Sequence, residues 1–172
     1  MTLEVVIEPA LPSDVTAMQR VEVEAGRRFA EVGLASIAAD PPPPEDELRA
    51  HVAASTAWVA RDIGGDVVGY AVASVVDGEG HLEQVSVRPE LGGAGIGAAL
   101  IEEVCRWAAG EGFDAVSLTT FRDVAWNGPY YERRGFRALA DDELGPGLRA
   151  IRADEASRGL DVAPRLAMRR VL

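Results

Sequence analysis

The chain has 172 residues, 28 of them acidic and 17 basic, for a formal net charge of −11 at pH 7. Every basic residue is arginine, and the lack of lysine excludes GxxxxGK[ST] phosphate loops, Schiff-base lysines and lysine general bases. The length predicts one domain over 1–172 with a core that needs no disulfide, while the acidic excess argues against nucleic-acid binding and favours a cationic partner such as an amine.

Leu3 to Glu8 reads as a first strand, with Val5, Val6 and Ile7 β-branched. Pro12-Ser13-Asp14 opens a helix whose apolar positions are Val15, Met18, Val21 and Ala25, ending near Arg28 or Phe29. A short helical piece is expected over Val32 to Ala39, stopped by the prolines at 41–44. Glu45-Asp46-Glu47 starts a third helix to about Ala54, its acids lying at the positive end of the dipole. The period then changes. Trp58 to Arg61, Val67 to Val76 and His81 to Arg88 read as an antiparallel meander, with turns at Gly64-Gly65-Asp66 and Asp77-Gly78-Glu79-Gly80. A glycine-rich loop leads into an amphipathic helix from Ile96 to about Ala109, followed by a strand from Ala115 to Thr120, parallel to the one before the helix. Asn127-Gly128-Pro129 opens a very short helix ending at Gly135, and Phe136 to Leu139 is a strand. The acids between Asp141 and Glu155 read as a solvated face around a helix from Leu148 to Ser157, and Arg165 to Val171 is the last strand. The order predicts an α/β (α+β) domain with a mixed, largely antiparallel sheet flanked by helices.

Cys105 is the only cysteine and lies on the apolar stripe of the 96–109 helix, so it reads as buried and inert. His51 and His81 are too few for most zinc constellations, and no metal is expected. The start lacks the basic and apolar blocks of a signal peptide and no run is long enough to span a membrane, so a cytoplasmic location is expected.

The most informative stretch is Val85-Ser86-Val87-Arg88-Pro89-Glu90-Leu91-Gly92-Gly93-Ala94-Gly95-Ile96-Gly97. Glycines at a helix start leave backbone N–H groups unobstructed beside the positive end of the dipole, which makes an anion site without lysine. Gly93 to Ala98 formally fits the dinucleotide pattern G-x-G-x-x-G/A. Three strands precede it, however, and Thr119-Thr120 stand where that pattern wants a ribose-binding acid. The segment instead resembles the acetyl-CoA motif of the GNAT acetyltransferase superfamily, [RQ]-x-x-G-x-[GA] between a strand and a helix. Asn127 and Tyr131-Glu132-Arg133-Arg134-Gly135-Phe136 match the family's Y-x-x-x-G-F signature in the right order. One departure is Gly92, where the family usually carries Arg or Gln; Arg88, Arg133 or Arg134 then become the candidate sources of local positive charge.

The resemblance implies a GNAT-like sheet splayed between the strand at 81–88 and the strand at 115–120, and acetyl transfer from acetyl-CoA to a primary amine of a small molecule or peptide. It implies that Val85, Ser86 and Val87 hold the pantetheine through their backbone. Gly92, Gly93, Ala94, Gly95, Ile96 and Gly97 would cradle the pyrophosphate, and Asn127 would bond the pantetheine. Tyr131 is the candidate general acid, and its neighbour Tyr130 is the ring better suited to packing. Glu83 and His81 are the candidate bases, because period two puts 81, 83, 85 and 87 on one face. The alternative function is a non-catalytic acyl-CoA-binding or sensor module. The family's habits also allow a homodimer.

Overall fold

In the computed structural model residues 3–172 are described, and seven strands and six α-helices follow one another along them. Strand β1 (Val5–Pro9) is followed by α1 (Val15–Gly26), entered through a 3₁₀ turn at Pro12–Asp14. The chain stays coiled beyond α1 as a 3₁₀ stretch, Arg27–Val32, until Gly33 turns left-handed at φ 78°. Helix α2 is the single turn Ala35–Ala38, and α3 runs Glu45–Ala53. Strands β2 (Ala57–Asp62), β3 (Val67–Val76) and β4 (Glu79–Val87) form the meander. Helix α4 (Ile96–Gly110) leads to β5 (Ala115–Phe121), then α5 (Gly128–Glu132), β6 (Arg137–Ala138), α6 (Pro146–Ser157) and β7 (Arg165–Val171). No helix among the described residues is long and apolar enough to cross a membrane.

The chain divides into two compact units, Met1–Ala73 with Leu82–Val104, and Ser74–His81 with Cys105–Leu172. In the first, β1 pairs antiparallel with β2 (Val5↔Asp62 to Pro9↔Trp58), and β2 pairs antiparallel with β3 (Ala57↔Val72) across a register shift at Ala60/Arg61. Helices α1 and α3 cover one face. Val15, Met18, Val21 and Leu48 are packed there against Val59, Val67, Tyr70 and Val72. Asp14, buried at the start of α1, accepts from Leu11 N (2.8 Å) and from Arg61 Nη2 on β2 (2.6 Å), which ties the helix to the sheet.

In the second unit the first residues of β4 pair parallel with β5 (Gly80↔Val116, His81↔Ser117), and β5 pairs antiparallel with β7 along its full length (Ala115↔Val171 to Phe121↔Arg165). β7 also pairs with the edge strand β6 (Arg137↔Arg169), so the strand order is β1-β2-β3-β4-β5-β7-β6. A seven-stranded mixed sheet, mostly antiparallel and flanked by helices, is the architecture expected from the sequence.

Two local expectations are corrected. Helix α6 begins at Pro146, two residues before Leu148, because Asp77 from the β3–β4 turn caps it. Its carboxylate accepts from Gly147 N (2.7 Å) and Leu148 N (3.0 Å). A Cβ on Gly145 or Gly147 would stand 2.6–2.8 Å from that carboxylate, so a side chain at either position would push Asp77 from its place on the helix end. The acids between 141 and 155 are also not one solvated face. Glu155 is buried and accepts from Thr119 Oγ1 (2.7 Å), Arg165 Nη2 (2.8 Å) and Arg152 Nη1 (3.1 Å), holding α6 to β5 and β7.

Candidate active site

The glycine loop is built to present backbone. After β4, a 3₁₀ turn at Pro89–Leu91 carries the chain to Gly92, and residues 92 to 95 are exposed. Gly93 (φ 82°) and Gly95 (φ 83°) are left-handed, which L side chains rarely tolerate. The first intrahelical bond of α4 runs from Ala99 N to Gly95 O (3.0 Å). Helix geometry therefore leaves the amides just before Ala99 without an acceptor in the helix, next to its positive pole. Gly92 is different: its φ of −57° and ψ of 138° suit any residue, although a Cβ there would stand 3.2 Å from the Pro89 carbonyl, which would have to give by a few tenths of an ångström. Arg88 lines a cleft of about 540 Å³ together with Arg27, Arg28, Glu24, Glu31 and Glu90. Its Nε is 3.5 Å from Glu24. Of the three arginines considered as local positive charge, Arg88 thus lines a cleft with two more. Arg133 is exposed, and Arg134 lies over the Tyr130 ring at 4.8 Å.

Strand β4 carries two polar constellations in the first unit. Ser86 is buried, and its Oγ donates to Glu22 of α1 (2.5 Å) while accepting from Gln84 Nε2 (3.0 Å). Tyr70 of β3 donates to the same Glu22 oxygen at 2.9 Å. Burial raises the Glu22 carboxyl above the usual carboxylate range, and the hydrogen bonds from Ser86, Tyr70 and Gln84 oppose that shift only in part. Burial, reinforced by Glu22, likewise pushes the Tyr70 phenol well up. Glu83, by contrast, is exposed and its Oε2 meets His51 Nε2 of α3 at 2.9 Å. Glu47, one turn earlier on α3, brings a second carboxylate close, and the ligand-type atoms of Glu47, His51 and Glu83 all lie within 4.8 Å of one another. His51 Nε2 lies within hydrogen-bonding distance of Glu83, and the two form an ion pair only when the imidazole is protonated.

Glu83 and Ser86 both reach the helices on the α1/α3 face although their positions differ in parity, and Gln84 sides with Ser86. Strict alternation along β4 therefore breaks between 83 and 84. The expectation that 81, 83, 85 and 87 share one face is corrected accordingly. A local phase change of this kind carries no signature in the residue types.

The remaining candidates lie in the second unit. His81 is buried, and its Nδ1 is 2.9 Å from Ser117 Oγ on β5. Asn127 is the N-cap position of α5, but its side chain does not cap the helix; Nδ2 donates to Trp126 O (3.0 Å). Tyr131 N donates to Asn127 O at 2.9 Å, so the two matched residues share one helical turn. Gly128 fits because its Cα passes the Arg122 carbonyl; a Cβ would stand 2.4 Å from that oxygen.

The turn after α5 explains the Y-x-x-x-G-F pattern. Arg134 N and Phe136 N both donate to Tyr131 O (2.9 and 3.1 Å), Gly135 turns left-handed at φ 88°, and Phe136 lands edge-on against the Tyr131 ring at 5.8 Å. Tyr131 is buried and Tyr130 only half-buried. The assignment of packing to Tyr130 is thereby corrected: the ring of Tyr131 carries most of it. Trp58 is a core residue, and Cys105 is buried as expected. Two features escaped sequence reasoning, Glu22 and His51. Each meets a partner on β4 far along the chain, and only the Glu47–His51 spacing of one helical turn hinted at the second.

Known proteins share this frame. Rv2747 from Mycobacterium tuberculosis, solved in complex with CoA and NLQ, superposes with a TM-score of 0.74 at 22% identity over 97% of this chain and 99% of that one. The PaiA N-acetyltransferase of Thermoplasma acidophilum, in complex with coenzyme A, gives 0.72 at 13% identity over 99% and 100%. The N-acetylglutamate synthase of Neisseria gonorrhoeae, complexed with coenzyme A and N-acetyl-glutamate, gives 0.71 at 21% identity over 98% of this chain but 35% of that one. In sequence, 59 residues are 41% identical to the glucosamine 6-phosphate N-acetyltransferase of Trypanosoma brucei brucei, covering 34% of this chain and 38% of that protein. The chain thus spans little more than a third of the length of these two relatives. Across residues 24–136, from the end of α1 through the glycine loop to Phe136, the sequence matches the acetyltransferase (GNAT) family, and the chain belongs to that family.

Proposed function

We propose that the chain is one acetyltransferase domain over 1–172 that moves an acetyl group from acetyl-CoA to a primary amine, by direct attack and without a metal. The observation that carries this reading is the glycine loop. Two left-handed, exposed glycines stand before the amino end of a 15-residue helix, offering amides and a dipole to a pyrophosphate in a chain with no lysine. In this reading the backbone of Val85, Ser86 and Val87 holds the pantetheine, residues 92–97 hold the pyrophosphate, and Asn127 adds a hydrogen bond.

Three proton and charge tasks remain. The acceptor enters as an ammonium and must lose a proton, the thioester carbonyl must be polarised, and the leaving sulfur must be protonated. Glu83 is the better placed of the two candidate bases. It is exposed on β4, whereas His81 is buried beside Ser117 and suits a structural role. Tyr131 supplies the acid. The acceptor is a small-molecule or peptide amine, and the cleft of Arg27, Arg28 and Arg88 interleaved with Glu24, Glu31 and Glu90 offers both signs of charge to it.

Acetyl-CoA mixed with glucosamine 6-phosphate, L-glutamate, spermidine and an alanine-initiated peptide, with release of CoA thiol followed, tests the reading. Amine-dependent thiol release is the expected result. Tight acetyl-CoA binding with no release across a broad amine library would favour the non-catalytic acyl-CoA module instead.

A further inference from the structure

We infer that His51 of α3 is a positioning and proton-holding partner of Glu83, so that base catalysis is performed by a Glu83–His51 dyad rather than by a lone carboxylate. The inference rests on the proposed role of Glu83 and adds a residue that neither family motif contains.

The geometry is that of an oriented imidazole. His51 Nε2 is 2.9 Å from Glu83 Oε2, and Nδ1 is 2.9 Å from Thr56 Oγ1. The Thr56 hydroxyl also lies 3.4 Å from the His51 carbonyl, to which it donates. A hydroxyl that donates to a carbonyl accepts from the ring, so Nδ1 carries a hydrogen. Nε2 is then the nitrogen that gains or loses a proton, and it faces the carboxylate. The His51 side chain is largely buried, 14% exposed, and Glu83 is open to solvent and to an acceptor at 34%. The groups facing His51 are Glu83 from β4, Glu47 one turn back on α3, the Thr56 hydroxyl and the Ala73 carbonyl of β3. The hydrogen bond to Glu83 raises the imidazole above its usual range more than burial lowers it, and Glu47 adds to the rise. An imidazole raised in this way takes up its proton at a higher pH than a free one, whereas an isolated surface carboxylate gives its proton up at about pH 4.3.

The step balances as follows. The acceptor ammonium loses one proton to a Glu83 oxygen, directly or through a water, and the carboxyl passes a proton to Nε2 of neutral His51. The freed amine forms the C–N bond to the thioester carbonyl, and the C–S bond breaks with its electron pair on sulfur. The second amine proton balances the one gained by the sulfur, leaving amide and CoA thiol. The proton on His51 returns to solvent.

The test uses the full chain with acetyl-CoA and whichever of the four amines above gives the fastest thiol release. In the wild type the acid limb of kcat/KM should reflect the dyad and lie above the ordinary imidazole value. His51→Gln keeps an N–H toward Glu83 but cannot take the proton. It should lower kcat/KM by tenfold to 10²-fold at pH 7.5 and move the acid limb towards the carboxylate range, so the deficit narrows as pH falls. The proton resonance of the His51 ring carbon between its nitrogens, assigned by its loss in His51→Gln, should titrate at lower pH in Glu83→Gln. His51→Asn serves if the glutamine variant fails to fold, judged by acetyl-CoA binding. A slow Glu83→Gln enzyme together with a His51→Gln enzyme of wild-type rate and pH profile overturns the dyad and leaves the proposed function standing. A Glu83→Gln enzyme of wild-type rate overturns the role of Glu83 itself. Loss of activity in EDTA, restored by zinc, also overturns the dyad and gives Glu47, His51 and Glu83 to a metal.

Discussion

Placing a side chain on Gly95 separates the loop's backbone from its surroundings. A Cβ there would meet no atom within 4 Å, so the substitution does not clash with the protein itself. Its effect comes from φ, which is +83°. An L-residue held left-handed costs about 1–2 kcal/mol, and a β-branched one more. Set against a total stability of about 5–15 kcal/mol, Gly95→Ala still folds. If the free loop relaxes to negative φ, the same 1–2 kcal/mol must be returned when the cosubstrate binds, which weakens the CoA Kd by about 5- to 30-fold. If the loop stays strained instead, Tm falls by about 2–8 °C. Gly95→Val adds a branched chain in the open space assigned to the pyrophosphate and should abolish measurable binding. Gly65 is the internal control. It is left-handed at +88°, equally unobstructed, and sits in the β2–β3 turn, so Gly65→Ala should lose comparable stability while leaving the Kd unchanged. Calorimetry with CoA and thermal melts on all four proteins decide the matter. Folded Gly95→Ala and Gly95→Val proteins that bind CoA as the wild type does would place the phosphates elsewhere.

Tyr131→Phe keeps the ring against Phe136 and removes only the hydroxyl, so kcat should fall by about 10²-fold near neutral pH with acetyl-CoA affinity preserved, and recover partly at high pH where the thiolate leaves unprotonated; an unchanged kcat with chemistry rate-limiting would make Tyr131 purely structural. Glu22 has a raised pKa in the folded chain, so its contribution to stability is full below pH 4.5 and is lost as pH rises through the folded value. Glu22→Gln cannot lose a proton and should gain in Tm relative to wild type as pH rises above 4.5; a difference that stays constant over that rise would mean that burial does not perturb Glu22. Gly128→Ala puts a Cβ 2.4 Å from the Arg122 carbonyl, a backbone atom that cannot swing aside, and should cost at least about 1–3 kcal/mol in thermal or urea unfolding. Wild-type stability in that variant would show that the turn before α5 yields freely.

Elements whose cause is local were legible in the sequence. The strands at Val67–Val76 and Arg165–Val171 lie where β-branched and apolar runs put them, and the acid-rich start of α3 marks its first turn at Glu45. The glycine loop and the Tyr131–Phe136 turn were legible because glycine at positive φ is a local demand. What escaped depends on partners distant in the chain. The start of α6 is set by Asp77, which precedes it by about 70 residues. Glu155 looked like one more surface acid until Thr119 and Arg165 were brought to it. The parity break in β4 decides that Glu83 meets His51, and alternation alone could not show it.

Counting both products of one reaction tests the central claim most directly. With acetyl-CoA and the best amine of the panel, the account predicts one acetylated amine for each CoA thiol released, and no thiol release beyond the spontaneous rate when the amine is omitted. Thiol released with free acetate and no acetylated amine, or CoA binding with no turnover in the presence of any amine, would contradict it.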